Sequence, residues 1–234
     1  MKETGKIKLS QRLRAVSDTV IPCKTVCDVG CDHGYVSITL VKEGKADKAI
    51  ACDVNKGPLK QAQENILANN LSEVIETRLS DGLHNITKED MTDAIVIAGM
   101  GGNLMAEILE QGKEIVLKAS QLVLQPQSEL FLVRKKIREM GMHISSEKFL
   151  LDAGKYYWVM DVRPGKTLED EDQDFFDKYS RYLLETKDSL YKAYLEERIL
   201  INKSYINDAD EEGKKTLSAK IEDLQHALFL INQA

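Results

Sequence analysis

No run of eighteen consecutive apolar residues occurs in the 234-residue chain, so an ordinary membrane-spanning helix is excluded. The first residues carry no apolar signal core, and a cytoplasmic protein with no membrane partner is expected. Cysteines number only four, Cys23, Cys27, Cys31 and Cys52. Their C-x3-C-x3-C spacing lacks a histidine at finger-like distance, and thiols in apolar strands act as small hydrophobes; no metal is expected. Basic residues are not in excess: 32 Lys and Arg stand against 38 Asp and Glu, a net charge of −6. Beyond residue 165 proline is absent and glycine occurs once, at Gly213, so a turn-rich β domain is excluded there.

The first 165 residues alternate apolar runs with helical periods, the pattern of an α/β domain whose parallel strands are joined by crossover helices. Strands are expected at Val26–Val29, up to Asp53, near Val74–Leu79, at Ala94–Ala98, at Gln121–Gln125, and about His143–Leu151 and Tyr156–Val162. The last two are separated by Asp152-Ala153-Gly154-Lys155, short enough for an antiparallel hairpin. These seven strands, residues 1–165, form the first predicted domain. Residues 166–234 form the second, with sixteen acidic residues against ten basic. Leu217, Ile221, Leu224, Leu228 and Ile231 repeat at spacings 4, 3, 4, 3, a coiled-coil seam. A looser stripe of Phe176, Leu183, Leu190 and Tyr194 predicts one helix from about Phe175 to Tyr205, and Asn207–Gly213 is the turn of a helical hairpin.

Val26 to Val36 reads as a strand, an acidic residue Asp28, then Gly30 and Gly34 where a helix begins. A second apolar run ends at Asp53, nineteen residues past Gly34. Glycines admit a ligand close to the backbone, a helix start offers free N–H groups, and the distant carboxylate can grip a ribose diol. The dinucleotide pattern G-x-G-x-x-G is missing, with Asp32 where its middle glycine would stand. An aspartate there repels phosphate and suits a cation, which favours S-adenosylmethionine over NAD. The loop after the fourth strand, Ala98-Gly99-Met100-Gly101-Gly102-Asn103, holds no carboxylate and no aromatic ring. That suits an acceptor with a lone pair already available, such as a ring nitrogen of adenine. Catalysis then rests on placement, with a general base optional.

Two basic clusters interrupt the acidic average. Lys2, Lys6, Lys8, Arg12 and Arg14 face one acid, Glu3, and a second group comprises Arg134, Lys135, Lys136 and Arg138. Residues 1–165 are neutral, with 22 charges of each sign, so local patches can meet phosphates. A solvated helix face is the plainer reading of Arg134–Arg138. For the N-terminal segment, Leu9, Leu13 and Val16 at helical spacing would anchor a helix beside the sheet. His33 either caps the following helix or meets ligand, Met100 is half core and half pocket wall, and Tyr156, Tyr157 and Trp158 read as core rather than base-stacking residues.

Leu9-Ser10-Gln11-Arg12-Leu13, Asp28-Val29-Gly30-Cys31-Asp32-His33-Gly34-Tyr35 and Ala98-Gly99-Met100-Gly101-Gly102 resemble the bacterial tRNA (adenine(22)-N1)-methyltransferase family, TrmK. The resemblance spans essentially the whole chain. It implies a Rossmann-like class I methyltransferase domain with a C-terminal coiled-coil hairpin, S-adenosylmethionine as methyl donor and tRNA as partner. It further implies that Asp28, Gly30, Asp32, His33 and Gly34 serve the methionine side of the cofactor and Asp53 the ribose. Asp81 and Gly82 would border the adenine of the cofactor and Gly99 and Met100 would line the cofactor near its methyl, while Gly99, Met100, Gly101, Gly102 and His33 would face the reacting methyl. Lys8, Arg12, Arg14, Arg134, Lys135 and Lys136 are the candidate tRNA contacts, and a monomer is expected. The family often has a small residue at Cys31 and alanine at Gly34. Two other classes remain open at this point: a non-catalytic RNA-binding or scaffold protein that keeps the cofactor fold, and an NAD-dependent oxidoreductase.

Overall fold

A computed structural model describes residues 7–165 and 172–233; Lys2, Glu3, Lys6 and the expected domain boundary at 165/166 fall wholly or partly outside them. The chain divides into two compact units, Met1–Leu168 and Glu169–Ala234.

The first unit opens with α1 (Gln11–Thr19), whose first turn is capped by the Ser10 hydroxyl accepting from the Leu13 N–H. There follow β1 (Cys23–Val29), α2 (Tyr35–Lys42), β2 (Ala46–Asp53), α3 (Lys56–Ala68), β3 (Ile75–Leu79), β4 (Ala94–Met100) and α4 (Gly102–Gln111). After a short α5 (Lys113–Val116) come β5 (Gln121–Pro126), α6 (Leu130–Glu139), β6 (Met142–Asp152) and β7 (Lys155–Pro164). The strands form one seven-stranded sheet in the order β3-β2-β1-β4-β5-β7-β6. β1 to β5 pair in parallel, and β7 runs antiparallel to both β5 and β6.

Strand residues alternate between two apolar layers because successive side chains point to opposite faces. Cys27, Val29, Ile95, Ile97, Leu122 and Leu124 pack with Met105 and Leu109 of α4 and Val133 and Ile137 of α6. Val26, Ala49, Ala51, Val96 and Val123 pack on the other face with Val16 of α1, Ile38 and Leu40 of α2, and Ala62 and Ile66 of α3. Both faces are thus covered, which is why the central strands read as near-continuous apolar runs. Strand order reverses between β1 and β4, and in such sheets ligands bind beyond the carboxyl ends of the strands at that switch. No helix of the described residues is long and apolar enough to cross a membrane.

The second unit holds α7 (Gln173–Lys178), α8 (Arg181–Glu185), α9 (Ser189–Tyr205) and α10 (Glu211–Gln233). The single helix expected over Phe175–Tyr205 is therefore three. Ser180 and Asp188 each accept a hydrogen bond from the N–H three residues on, at Leu183 and Tyr191, and so start new helices. Lys187, with φ of 55°, completes the break. The buried face of α9 is Tyr191, Leu195, Ile199 and Asn202, one step round from the expected stripe. On α10 the buried residues are Ile221, Leu224, Ala227 and Ile231, with Leu217 and Leu228 half-buried. Lys192 near the start of α9 bonds Asn232 near the end of α10 at 2.7 Å, so the two helices run antiparallel.

Candidate active site at the carboxyl ends of the strands

β1 ends at Val29 and the chain turns through Gly30 (φ 70°), Asp32 (φ 50°) and Gly34 (φ 70°) before α2 begins. The turn is pinned to the end of β2: the Gly30 and Cys31 N–H groups both donate to the Cys52 carbonyl, at 2.8 and 2.9 Å. The Asp53 side chain is pinned as well, accepting from the Asn55 N–H at 2.8 Å and more weakly from the Asp32 N–H at 3.4 Å. Its orientation is set by backbone, not left to solvent. The third loop joins the same corner through the Ser80 N–H, which donates to the Asp53 carbonyl at 2.9 Å, bringing Asp81 and Gly82 alongside.

Asp28, expected on the methionine side of the cofactor, has a buried side chain. It lies beneath the loop, 4% exposed, and accepts from both the hydroxyl (2.7 Å) and the N–H (3.2 Å) of Ser37 in α2. Its work is to hold the start of α2 in place. Burial raises its pKa to about 6 against the lowering pull of the Ser37 hydrogen bonds, and the Asp53 charge raises it further. Burial also pushes the Cys27 and Cys31 thiols up, so both stay protonated; hydrogen bonding to Cys52 is the first cause at Cys27. All four cysteines are free, and among the described residues no group of His, Cys, Asp and Glu is placed to hold a metal ion.

The fourth loop meets the first directly. The β4–β5 ladder shifts register between Ala98 and Met100, and Gly99 sits in the bulge with φ of 82°. A bulge re-aims the next side chain. Here it is Met100, whose Cε lies so close over Gly30 that a Cβ at Gly30 would collide with it. Gly102 opens α4 tight against the Ser128 and Glu129 carbonyls, 2.5 and 2.6 Å from where its Cβ would stand. Gly101 is looser, with the Ser128 hydroxyl at 3.2 Å. His33 lies at the exposed rim, 3.6 Å from Asp32 and stacked on Tyr35, while its carbonyl accepts from Asn65 of α3 at 2.9 Å.

Several residues that line this end escaped the sequence reading. The end of β5 and the segment after it, Gln125-Pro126-Gln127-Ser128-Glu129, border the fourth loop, and the Gln127 N–H donates to the Met100 carbonyl at 2.9 Å. Arg12 of α1 reaches in: its Nη1 donates to the Gln125 Oε1 at 2.7 Å and stands 3.5 Å from the position a Gly99 Cβ would take. Its guanidinium lies 5.7 Å from the centre of the Tyr157 ring, and its backbone N–H donates to Asp152. Tyr156 and Trp158 instead pack around Phe149. Only the run of glycines and the polar spacing of Gln125 and Gln127 hinted at this wall.

The basic clusters fare unequally. Arg134 is buried and ion-paired with Glu147 of β6 at 2.9 Å, the two side chains 5% and 1% exposed, so the expected phosphate contact is replaced by a structural pair. On α6 it falls beside the inward Val133 and Ile137, which the charge run concealed. Lys136 pairs with Glu110 and Glu139, and Arg14 with Asp18 and Glu43. Lys8 and Lys135 are exposed.

S-adenosylmethionine fits these residues. Asp53 presents an oriented carboxylate for a diol, Asp32 offers a side chain 69% exposed for a cation, and Gly30 puts bare backbone beside Met100.

A methyltransferase-domain family profile matches residues 9–160. The tRNA (adenine(22)-N(1))-methyltransferase of Bacillus subtilis is 35% identical over 161 residues, 69% of this chain and 67% of that protein. Mycoplasma capricolum TrmK, solved with S-adenosyl-homocysteine, superposes with a TM-score of 0.86 at 26% identity, covering 95% of this chain and 99% of the other. A Streptococcus pneumoniae protein solved in complex with S-adenosyl-L-methionine gives a TM-score of 0.85 at 31% identity, covering 94% and 100%.

Proposed function

Since the chain belongs to the bacterial tRNA (adenine(22)-N1)-methyltransferase family, we propose that it transfers a methyl group from S-adenosylmethionine to N1 of an adenine at position 22 of tRNA. The observation that carries the reading is the contact of Met100 with Gly30, which brings the fourth loop directly against the first.

Bound there, S-adenosylmethionine supplies an electrophilic methyl on a sulfonium. Asp53 holds the ribose, and the Gly30–Gly34 turn with Asp32 and His33 holds the methionine end. Asp81 and Gly82 border the adenine of the cofactor. Gly99 to Gly102 form a side-chain-poor wall that lets the acceptor base approach in line. Adenine N1 attacks through its own lone pair, and the methylated ring leaves as a cation, so no proton is removed from the attacking atom. Placement within a fraction of an ångström then carries much of the rate. Arg12 stands at the mouth, and Lys8 and Lys135 are the exposed cations that suit phosphate contact. Four free thiols suit a reducing cytoplasm.

The test is transfer from methyl-labelled S-adenosylmethionine to an unmodified tRNA transcript, followed by nucleoside analysis. Labelled 1-methyladenosine is the expected product. Label in a different nucleoside, or none, would contradict the reading.

A further inference from the structure

Gln127 is exposed at the acceptor side of the chamber, and its backbone N–H is already bonded to the Met100 carbonyl. That bond fixes the residue relative to the methyl-facing loop. The side-chain amide has no hydrogen-bond partner among the described residues, and its Nε2 lies 3.7 Å from the place a Gly99 Cβ would occupy. It therefore lies against Gly99, where the fourth loop carries no side chain. Nothing in the fold requires this side chain: it supports no helix, fills no core and pairs with no charge.

Resting on the methyl-transfer reading above, we propose that Gln127 is the residue that selects adenine, reading its N6 and N7 edge with both ends of the amide. A glutamine amide offers one acceptor and two donors, and adenine presents an N6 donor beside an N7 acceptor, so the two match in a bidentate pair. Guanine presents two acceptors along that edge and is mismatched. The geometry has a further consequence for the chemistry. A reader on the N6/N7 edge leaves N1 uncovered on the adjoining side, where it can face the methyl. A reader on the N1/N6 edge would block the attacking atom. The neighbouring Arg12 is engaged with Gln125, whereas the amide of Gln127 keeps free capacity of both signs among the described residues.

The test is a cycle between the side chain and the base. Single-turnover methylation is measured for the unaltered chain and Gln127→Ala, on tRNA carrying adenine or 7-deazaadenine at the target position. The 7-deaza base keeps N1 and N6 and loses only the N7 acceptor. The unaltered chain should methylate the 7-deaza tRNA at least about tenfold more slowly, and Gln127→Ala should show less than a twofold difference between the two tRNAs. S-adenosylmethionine affinity of the variant, measured by calorimetry, should change less than twofold, because the side chain makes no hydrogen bond to Asp53 or to the Gly30–Gly34 turn. Equal rates on the two tRNAs for the unaltered chain, or a 7-deaza penalty that survives in Gln127→Ala, would overturn the assignment while leaving the function intact. Failure of the unaltered chain to form 1-methyladenosine on ordinary tRNA would remove the function and this inference together.

Discussion

Asp53 is held from two sides by backbone N–H groups before any ligand arrives, so its carboxylate does not have to be ordered on binding. Charged hydrogen bonds are worth about 1.5–3 kcal/mol each, so Asp53→Ala should weaken S-adenosylmethionine roughly tenfold to a hundredfold or more in calorimetry. Unchanged affinity would show that the ribose lies elsewhere. Asp28 gives a pH signature. Its folded pKa of about 6 exceeds the ordinary 3.8, so the native state holds the proton more tightly than the unfolded chain. The stability this contributes is present below about pH 4 and is lost as pH rises through 6, a swing of about 3 kcal/mol at most. Asp28→Asn escapes that loss. In urea unfolding the variant should therefore gain on the parent as pH climbs from 4 to 7, and a pH-independent difference would contradict the burial argument. Arg134→Ala removes one member of a buried ion pair with Glu147 and should cost about 3–5 kcal/mol in the same assay. A loss of tRNA affinity with stability unchanged would restore Arg134 as a phosphate contact. Asp53 was legible because a carboxylate closing an apolar run has few other uses. Arg134 was not, because a one-dimensional charge run does not reveal which residue turns inward.

At the level of elements, the two loops that make the chamber are built differently from their shared glycine content. Gly99 needs its positive φ for the bulge that swings Met100 over Gly30. Gly102 needs the absence of a Cβ, since two carbonyls fill that space, whereas Gly101 faces the rotatable Ser128 hydroxyl and, at ordinary contact distance, the Glu129 carboxylate. Gly101→Ala should therefore fold normally and lose turnover with cofactor affinity nearly intact. Gly102→Ala should lower the melting temperature sharply; the reverse ranking would show that the α4–β5 loop contact is soft. The loop was visible in the sequence as Gly-Met-Gly-Gly, but the separate duties of its glycines depend on Ser128 and Glu129, some 26 residues away in the chain. The long helix expected over Phe175–Tyr205 failed for a related reason. Ser180 and Asp188 look like ordinary polar positions on a helix, and only their hydrogen bonds to Leu183 and Tyr191 reveal them as caps.

For the molecule as a whole, the parallel sheet with an antiparallel last pair was legible from rules that do not depend on identity, whereas the strand order came only from the structure. Short alternating runs with helical crossovers leave few right-handed arrangements, and Asp152-Ala153-Gly154-Lys155 forced the antiparallel pair at the edge. The acceptor wall was the hidden part, because Arg12, Gln125, Gln127 and Tyr157 meet there from three distant segments. The central claim is that this wall and the Asp53 corner together methylate adenine N1 at one tRNA position. A methyl on N1 blocks base pairing and stops reverse transcriptase, which makes the claim directly measurable. Primer extension on tRNA from cells that carry the chain should stop at position 22. The stop should vanish when the gene is deleted, return with the unaltered chain, and fail to return with Asp53→Ala. A stop that persists in the deleted cells, or that Asp53→Ala restores in full, would contradict the account.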